Sequence, residues 1–348
     1  MKILMIGLGS IGQRHLRNIR RIYGNEPEIL AYRVRRLQQT FSDEMKIRDG
    51  VNLEEEFGIT VYQDLDEALA QKPDIAFITN ITAKHMECAL KVAKAGCDIF
   101  LEKPISDTLD GVDELQRIVK EKGLVVYVGY QNRYHACIQK VKSLLEQNVI
   151  GRLISVDNEF SERLATMHTY EDYSTTYMAR SEMGGGPVLN LQIHALDYLQ
   201  WLFGVPKAAY AVAGTNSQLK IDVEDFASTI YRVELENGTT IPVYSHTDFL
   251  QFPPVHVVKV VGEKGRIEAN LNEATVKLYV EGELVEEKSY PDFVRNDMFI
   301  RELKDFIDCV QTRREPEMSL AQGVVGLKMA LAAKRSAKEH REVVLEEL

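Results

Sequence analysis

The residues best suited to chemistry sit in three short stretches. In Gly184-Gly185-Gly186-Pro187-Val188-Leu189-Asn190-Leu191-Gln192-Ile193-His194-Ala195-Leu196-Asp197, the polar side chains Asn190, His194 and Asp197 recur at i, i+4 and i+7. A helix there lines them up in one stripe, continued by Trp201, on an otherwise apolar cylinder of Leu189, Leu191, Ile193, Leu196, Leu199 and Leu202. An imidazole so placed can exchange a proton near neutral pH. It can equally be a core histidine with its hydrogen bonds satisfied, and the residues alone weigh the two readings evenly. In Glu102-Lys103-Pro104 the lysine precedes a proline. That holds it extended, and a cis bond costs little there compared with other residue pairs. A cation held in one direction can stabilise developing negative charge, although the tripeptide alone is also ordinary loop sequence. The third stretch, Gly7-Leu8-Gly9-Ser10-Ile11-Gly12, has the spacing of a phosphate-binding turn.

The surrounding elements decide what that turn means. Lys2–Ile6 is an apolar run ending at Gly7, and apolar residues at helical spacing follow from Ile11 to Tyr23. Glu28–Tyr32, Val61-Tyr62, Ile75–Thr79, Asp98–Leu101 and Leu124–Val128 read as further buried strands, with helical segments between them. The polar stretch from Arg33 to Gly58 has room for one extra helical turn. Strand–helix alternation of this kind predicts parallel βαβ units with right-handed crossovers, hence a doubly wound sheet of the Rossmann type. In that setting Gly7 allows the tight turn, Gly9 lets the backbone approach a pyrophosphate, and Gly12 lets helix and strand pack closely. The helix start, with Ser10 and Ile11, supplies unpaired N–H donors and a positive dipole end. The prediction is a bound nicotinamide dinucleotide.

After a helix at Tyr134–Gln147 the grammar changes. Leu153–Glu159, Ala208–Ala213, Ala227–Glu234, Thr240–His246, His256–Val261 and Thr275–Val280 read as strands joined by short turns. One helix, Pro187 to Phe203, interrupts them, and two close the chain near Met298–Gln311 and Leu320–Glu339. The fold class is therefore α/β plus α+β. Residues 1–128 form a dinucleotide-binding domain, and residues 129–348 a substrate-binding domain on an open, mostly antiparallel sheet whose exposed face invites a second copy.

The end of the second strand bears on cofactor choice. A carboxylate there binds the adenosine ribose hydroxyls and repels a 2′-phosphate. This chain instead reads Ala31-Tyr32-Arg33-Val34-Arg35-Arg36. Arginine forks suit phosphate, so Arg33, Arg35 and Arg36 favour NADP(H) and leave NAD(H) open.

A net charge of −10 argues against a nucleic-acid partner, since binding phosphate backbone needs net positive charge. Cys88, Cys97, Cys137 and Cys309 form no metal-binding spacing, so neither metal nor disulfide framework is expected. The apolar start is short, broken by glycines and followed by Arg14 and His15, unlike a secretory leader. No stretch approaches the roughly 18 apolar residues a membrane span needs. A cytoplasmic protein is the expectation.

Taken together, these stretches resemble the family of glucose–fructose oxidoreductase, inositol dehydrogenase and the rhizopine-catabolism protein, the Gfo/Idh/MocA family. The likeness runs through Gly7–Gly12, Thr79-Asn80 with His85, Glu102-Lys103-Pro104, Gly129-Tyr130 with Arg133, and Gly184–Asp197. It implies an enzyme that transfers a hydride between a nicotinamide and a secondary alcohol or ketone of a sugar. In such an enzyme Lys103 is the catalytic lysine and His194 the acid/base. Thr79, Asn80, His85 and Glu102 then join the glycine loop around the cofactor. Arg133, Tyr170, Arg180, Asn190 and Asp197 join Lys103 and His194 around the substrate.

The family often has Asp where this chain has Asn190, so a His–Asp proton relay is not implied here. His168–Tyr173, Ala179-Arg180 and Gln251-Phe252-Pro253-Pro254 resemble a branch found with bacterial surface-sugar pathways. The family also implies homodimers or homotetramers. Two other readings stay open: an NAD-dependent glycosidase working by transient oxidation, and a non-catalytic dinucleotide-binding regulator.

Overall fold

The computed structural model describes residues 1–348 except 35–38, 43–45 and 49. The chain divides into two compact units. The first comprises Met1–Tyr130 with Asn296–Val324, and the second Gln131–Arg295 with Val325–Leu348.

In the first unit, buried β1 (Lys2–Ile6) runs through Gly7 into α1 (Ser10–Tyr23). β2 (Glu28–Tyr32) follows, then a small hairpin of β3 (Thr40–Phe41) and β4 (Ile47–Arg48). The extra helical turn is α2 (Leu53–Phe57), capped by the Asn52 side chain and ended by Gly58 in a left-handed conformation. Next come β5 (Ile59–Tyr62), α3 (Leu65–Leu69), β6 (Ile75–Ile78), α4 (His85–Ala95), β7 (Asp98–Glu102), α5 (Val112–Lys122) and β8 (Val126–Gly129).

All pairs in this sheet are parallel, in the order β5-β2-β1-β6-β7-β8. The order reverses beside β1. Such a switch point opens a ligand crevice at the carboxyl ends of β1 and β6, where Gly7 and Thr79 lie.

The sequence assigned everything after residue 128 to the second domain, and for Asn296–Val324 this is corrected. Helix Arg295–Thr312 sends Phe306 against Phe77, Phe100 and Tyr127, with centroids 5.6, 5.5 and 5.7 Å away. Asn296 Oδ1 accepts from Arg14 Nη1 at 3.0 Å, and Asn296 donates to Asn18 at 2.9 Å. A buried aromatic face on the parallel sheet needs a cover, and this helix supplies it.

The second unit starts with α6 (Ala136–Glu146) and β9 (Leu153–Ser161), then short α7 (Leu164–Met167), then α8 (Ile193–Phe203). Its strands continue as β10 (Ala208–Gly214), β11 (Phe226–Glu234), β12 (Thr240–Asp248) and β13 (Val255–Gly262). β14 (Gly265–Asn270), β15 (Thr275–Val280), β16 (Glu283–Ser289) and β17 (Val343–Val344) complete the set.

The sheet order is β16-β15-β14-β13-β9-β12-β11-β10-β17. Only β9 and β12 pair in parallel; the other neighbours are antiparallel. β16 escaped sequence reading because Glu-Leu-Val-Glu-Glu-Lys-Ser at an exposed edge carries little apolar alternation. One face is covered by α8 and by helix Leu320–Glu339, whose Ser336 Oγ accepts from Ala211 N at 2.9 Å. On the other face Tyr210, Val212, Ile230 and Tyr244 remain 40–56% exposed.

Candidate active site

The glycine loop has the geometry a pyrophosphate needs. Gly7 sits at φ +91°, and a Cβ there would lie 2.9 Å from the Asn80 backbone. At Gly12 a Cβ would lie 2.4 Å from Gly7 O and 2.6 Å from Thr79 Oγ1. Gly9 differs, because nothing lies within 4 Å of where its Cβ would be. The first two contacts serve packing, and the third leaves backbone open to a ligand. The first turn of α1 contains no acidic residue and no side-chain cap, so a helix start of this kind, at Ser10, Ile11 and Gly12, is suited to receive an anion. Thr79 Oγ1 donates to Gly7 O at 2.6 Å and holds the turn. These residues fit a dinucleotide.

At the end of β2, Arg33 is buried and its Nη1 pairs with Glu54 Oε1 at 2.8 Å. The sequence stripe has no acid, yet α2 delivers one to the same place. Arg35 and Arg36 lie outside the described residues.

Lys103, half-buried, follows β7 in a turn with a cis peptide bond to Pro104. Both of its neighbours are anchored by buried histidines. Glu102 Oε1 lies 2.7 Å from His15 Nε2, while Glu102 Oε2 accepts from Lys103 N at 3.3 Å. On the other side His85 bridges two carbonyls, Pro104 O at 2.7 Å from Nδ1 and Asn80 O at 3.1 Å from Nε2. Burial lowers the His85 pKa, opposed by those two carbonyls. Asn80 Nδ2 points to Cys88 Sγ at 3.4 Å. His85 and Asn80 thus tie the β6 and β7 loops together. His15 was missed in the sequence, although it lies one helical turn beyond Gly12.

In the second unit the expected continuous helix from Pro187 is instead a π-helical turn, Val188–Gln192, leading into α8. Such wide turns often occur at functional sites. Asn190 lies in the π-turn and donates from Nδ2 to Gly186 O at 2.8 Å; His194 lies in the first α-turn, 9% exposed. Behind His194, the Phe160 ring stands 6.1 Å away and stacks at 3.9 Å on His256. Burial pushes the His256 pKa down to about 3. The Tyr198 hydroxyl bonds Asn158 and meets His256 Nε2 at 3.2 Å.

The glycines before the π-turn are sterically required. A Cβ on Gly185 would lie 2.6–2.8 Å from three carbonyls, those of Met178, Arg180 and Tyr177.

Arg133 and Asp197, expected at the substrate, are committed to each other. Arg133 Nε donates to Asp197 Oδ2 at 2.8 Å and Nη2 to Oδ1 at 2.6 Å, and the side chains are 2% and 0% exposed. Trp201, one turn further on, takes the Arg133 guanidinium at 5.4 Å and the Lys142 ammonium at 4.7 Å over its ring. Arg180 is partly exposed and 3.8 Å from Asp222. Tyr170 stacks on His168 at 5.3 Å. Between them, Met178 and Ala179 pack into a cluster with Leu164, Leu191 and Phe249, which seats this segment against the π-turn.

Glu159, His246 and Asp248 bring ligand-type atoms within 4.8 Å of one another on the sheet. Their carboxylates are already bridged by Gln251 Nε2, at 2.6 Å to Glu159 and 2.7 Å to Asp248.

Comparison with known proteins agrees with both units. Residues 1–130 match a family described as "Oxidoreductase family, NAD-binding Rossmann fold", and residues 138–268 match "GFO/IDH/MocA C-terminal domain". The myo-inositol 2-dehydrogenase of Thermotoga maritima is 27% identical over 360 residues, covering 100% of this chain and 99% of that protein. Levoglucosan dehydrogenase, solved with NADH and levoglucosan, superposes with a TM-score of 0.83 at 17% identity, covering 99% of each chain. The WlbA dehydrogenase from Bordetella pertussis, solved with NADH and UDP-GlcNAcA, gives 0.78 at 22% identity over 99% of this chain and 98% of that one. Among the described residues no helix is long and apolar enough to cross a membrane.

Proposed function

Because the chain belongs to the GFO/IDH/MocA oxidoreductase family, we propose that it is an NAD(P)-dependent dehydrogenase acting on a secondary alcohol or ketone of a sugar, sugar derivative or nucleotide sugar. One observation carries the reading. The chain joins an open glycine loop to a lysine held by anchored neighbours, and it places a histidine at the π-to-α junction of a buried helix. The relatives named for myo-inositol, levoglucosan and a UDP-sugar set the substrate class.

When bound, the nicotinamide ring takes up or returns the hydride. His194 accepts the proton of the reacting hydroxyl in oxidation and returns it in reduction. The Lys103 ammonium supplies a cation that stabilises developing negative charge. Proton transfer of this kind contributes about 10²–10⁴-fold, so orientation of the sugar supplies the remainder. Tyr170, Arg180 and Asn190 contact the sugar. Arg133 and Asp197 act from behind, by holding α8. Thr79, Asn80, His85 and Glu102 shape the dinucleotide side.

The arginines after β2 favour NADP(H) over NAD(H). Since Arg33 is engaged by Glu54, that preference rests on Arg35 and Arg36. The exposed face of Tyr210, Val212, Ile230 and Tyr244 is apolar enough to seat a second copy, giving a homodimer or homotetramer in the cytoplasm.

The test is reduction of NAD+ and NADP+ across a panel of cyclitols, sugars and nucleotide sugars, with wild type beside His194→Ala. Turnover that collapses in the variant, with dinucleotide affinity kept, supports the reading. Aglycone release without accumulating reduced cofactor marks a glycosidase. Silence across the panel marks a regulator.

A further inference from the structure

The His15 side chain is completely buried in the first unit, a costly place for an imidazole that does nothing. Its ring is wedged among Phe100, Phe77 and Phe299, with centroids at 4.7, 5.7 and 6.1 Å. Its Nδ1 has no hydrogen-bond partner, so its one polar engagement is Nε2 with Glu102 Oε1 at 2.7 Å. The other Glu102 oxygen accepts from the Lys103 backbone N–H at 3.3 Å. Across the sheet Glu102 faces Gly129, where a Cβ would lie 3.2–3.3 Å from the carboxylate. The carboxylate is confined from one side by glycine backbone and drawn from the other by the imidazole. A line of hydrogen bonds therefore runs from α1, the helix the glycine loop opens, through Glu102 to the backbone of Lys103.

We propose that His15 is a positioning residue: through Glu102 it fixes the Lys103 turn to the glycine-loop helix, so that the lysine and the dinucleotide share one rigid mount. The proposal rests on the reading of Lys103 as the catalytic cation. His15 touches neither sugar nor reacting atoms, and its effect travels through the carboxylate.

Three variants separate this role from packing. His15→Leu keeps the volume and removes the N–H. His15→Asn keeps polarity but is too short to reach Glu102. His15→Gln restores a donor near the Nε2 position. Each is measured for kcat, KM, dinucleotide affinity and melting temperature, and for the titration of Lys103 after reductive ¹³C-methylation, its resonance assigned with Lys103→Arg. Loss of orientation by about an ångström lowers turnover on the order of 10- to 100-fold. That loss is expected in kcat for Leu and Asn, with KM little changed, a displaced Lys103 titration, and recovery of both in Gln. If Leu does not fold, the Asn–Gln pair carries the same comparison.

Equal behaviour of Asn and Gln, or a lowered melting temperature with wild-type Lys103 titration, overturns the proposal. Should wild type oxidise no sugar, the dehydrogenase reading fails. The Lys103 resonance still decides whether His15 governs the lysine.

Discussion

Arg133 and Asp197 form a closed, two-point ion pair in the interior of the second unit, with contacts of 2.8 and 2.6 Å. Asp197 lies three residues past His194 on α8, so the pair pins the helix that carries the proposed acid/base. Removing one partner strands the other charge in a dry site, which costs about 3–5 kcal/mol. Asp197→Ala is therefore expected to lower the urea midpoint strongly, and Arg133→Met with Asp197→Leu together to recover much of it. A double variant no more stable than Asp197→Ala would show that the pair is not the source.

The glycine loop gives a sharper contrast. Gly12→Ala meets backbone at 2.4 Å and should lose stability, whereas Gly9→Ala has open space around it and should melt as wild type does. Gly9→Ala should nonetheless bind dinucleotide about tenfold or more weakly, because the methyl stands where a pyrophosphate would approach. Calorimetric titration of both variants checks this, and undiminished affinity in Gly9→Ala would place the phosphates elsewhere.

Glu54 holds Arg33 at 2.8 Å. Glu54→Gln removes the negative charge and frees a guanidinium for a 2′-phosphate. The ratio of kcat/KM for NADP+ over NAD+ should rise several-fold, and an unchanged ratio would leave Arg33 without a part in the choice.

Acid stability follows from two buried imidazoles. Burial lowers His256 from 6.5 to about 3 and His135 from 6.5 to about 4. The unfolded chain then takes up protons that the folded chain refuses, so stability is full above about pH 6.5 and falls as pH drops toward 4. The denaturant midpoint should fall between pH 7 and 5. His135→Asn, which keeps an acceptor at the start of α6 for Cys137 N, should flatten part of that slope.

The strand–helix order of the first unit was legible because a fully buried strand such as Ile-Ala-Phe-Ile reads as an uninterrupted apolar run. The glycine loop was legible because its strand–turn–helix setting is local, whereas Lys103 and His194 were singled out only by the resemblance that several stretches carry together. Partners were not legible. Spacing placed Asp197 on a helix and the family resemblance singled out Arg133, yet nothing local shows that the two side chains meet. His15 belonged to none of the patterns read from the sequence, and only the fold shows it turned toward Glu102. The π-turn at Val188–Gln192 also leaves no mark in residue spacing, because it depends on how Gly185 and Gly186 seat the chain.

The cover that Phe299 and Phe306 provide comes from helix Arg295–Thr312, far downstream of the strands it protects. During synthesis, at roughly 5–20 residues per second, the rings of Phe77, Phe100 and Tyr127 stay bare for on the order of ten seconds after their own sheet has emerged. The nascent chain thus exposes a sticky aromatic surface until the helix Arg295–Thr312 has been made. A fragment ending at Tyr130 would keep that surface and should aggregate, while one supplied in trans with residues 296–324 has the missing lid.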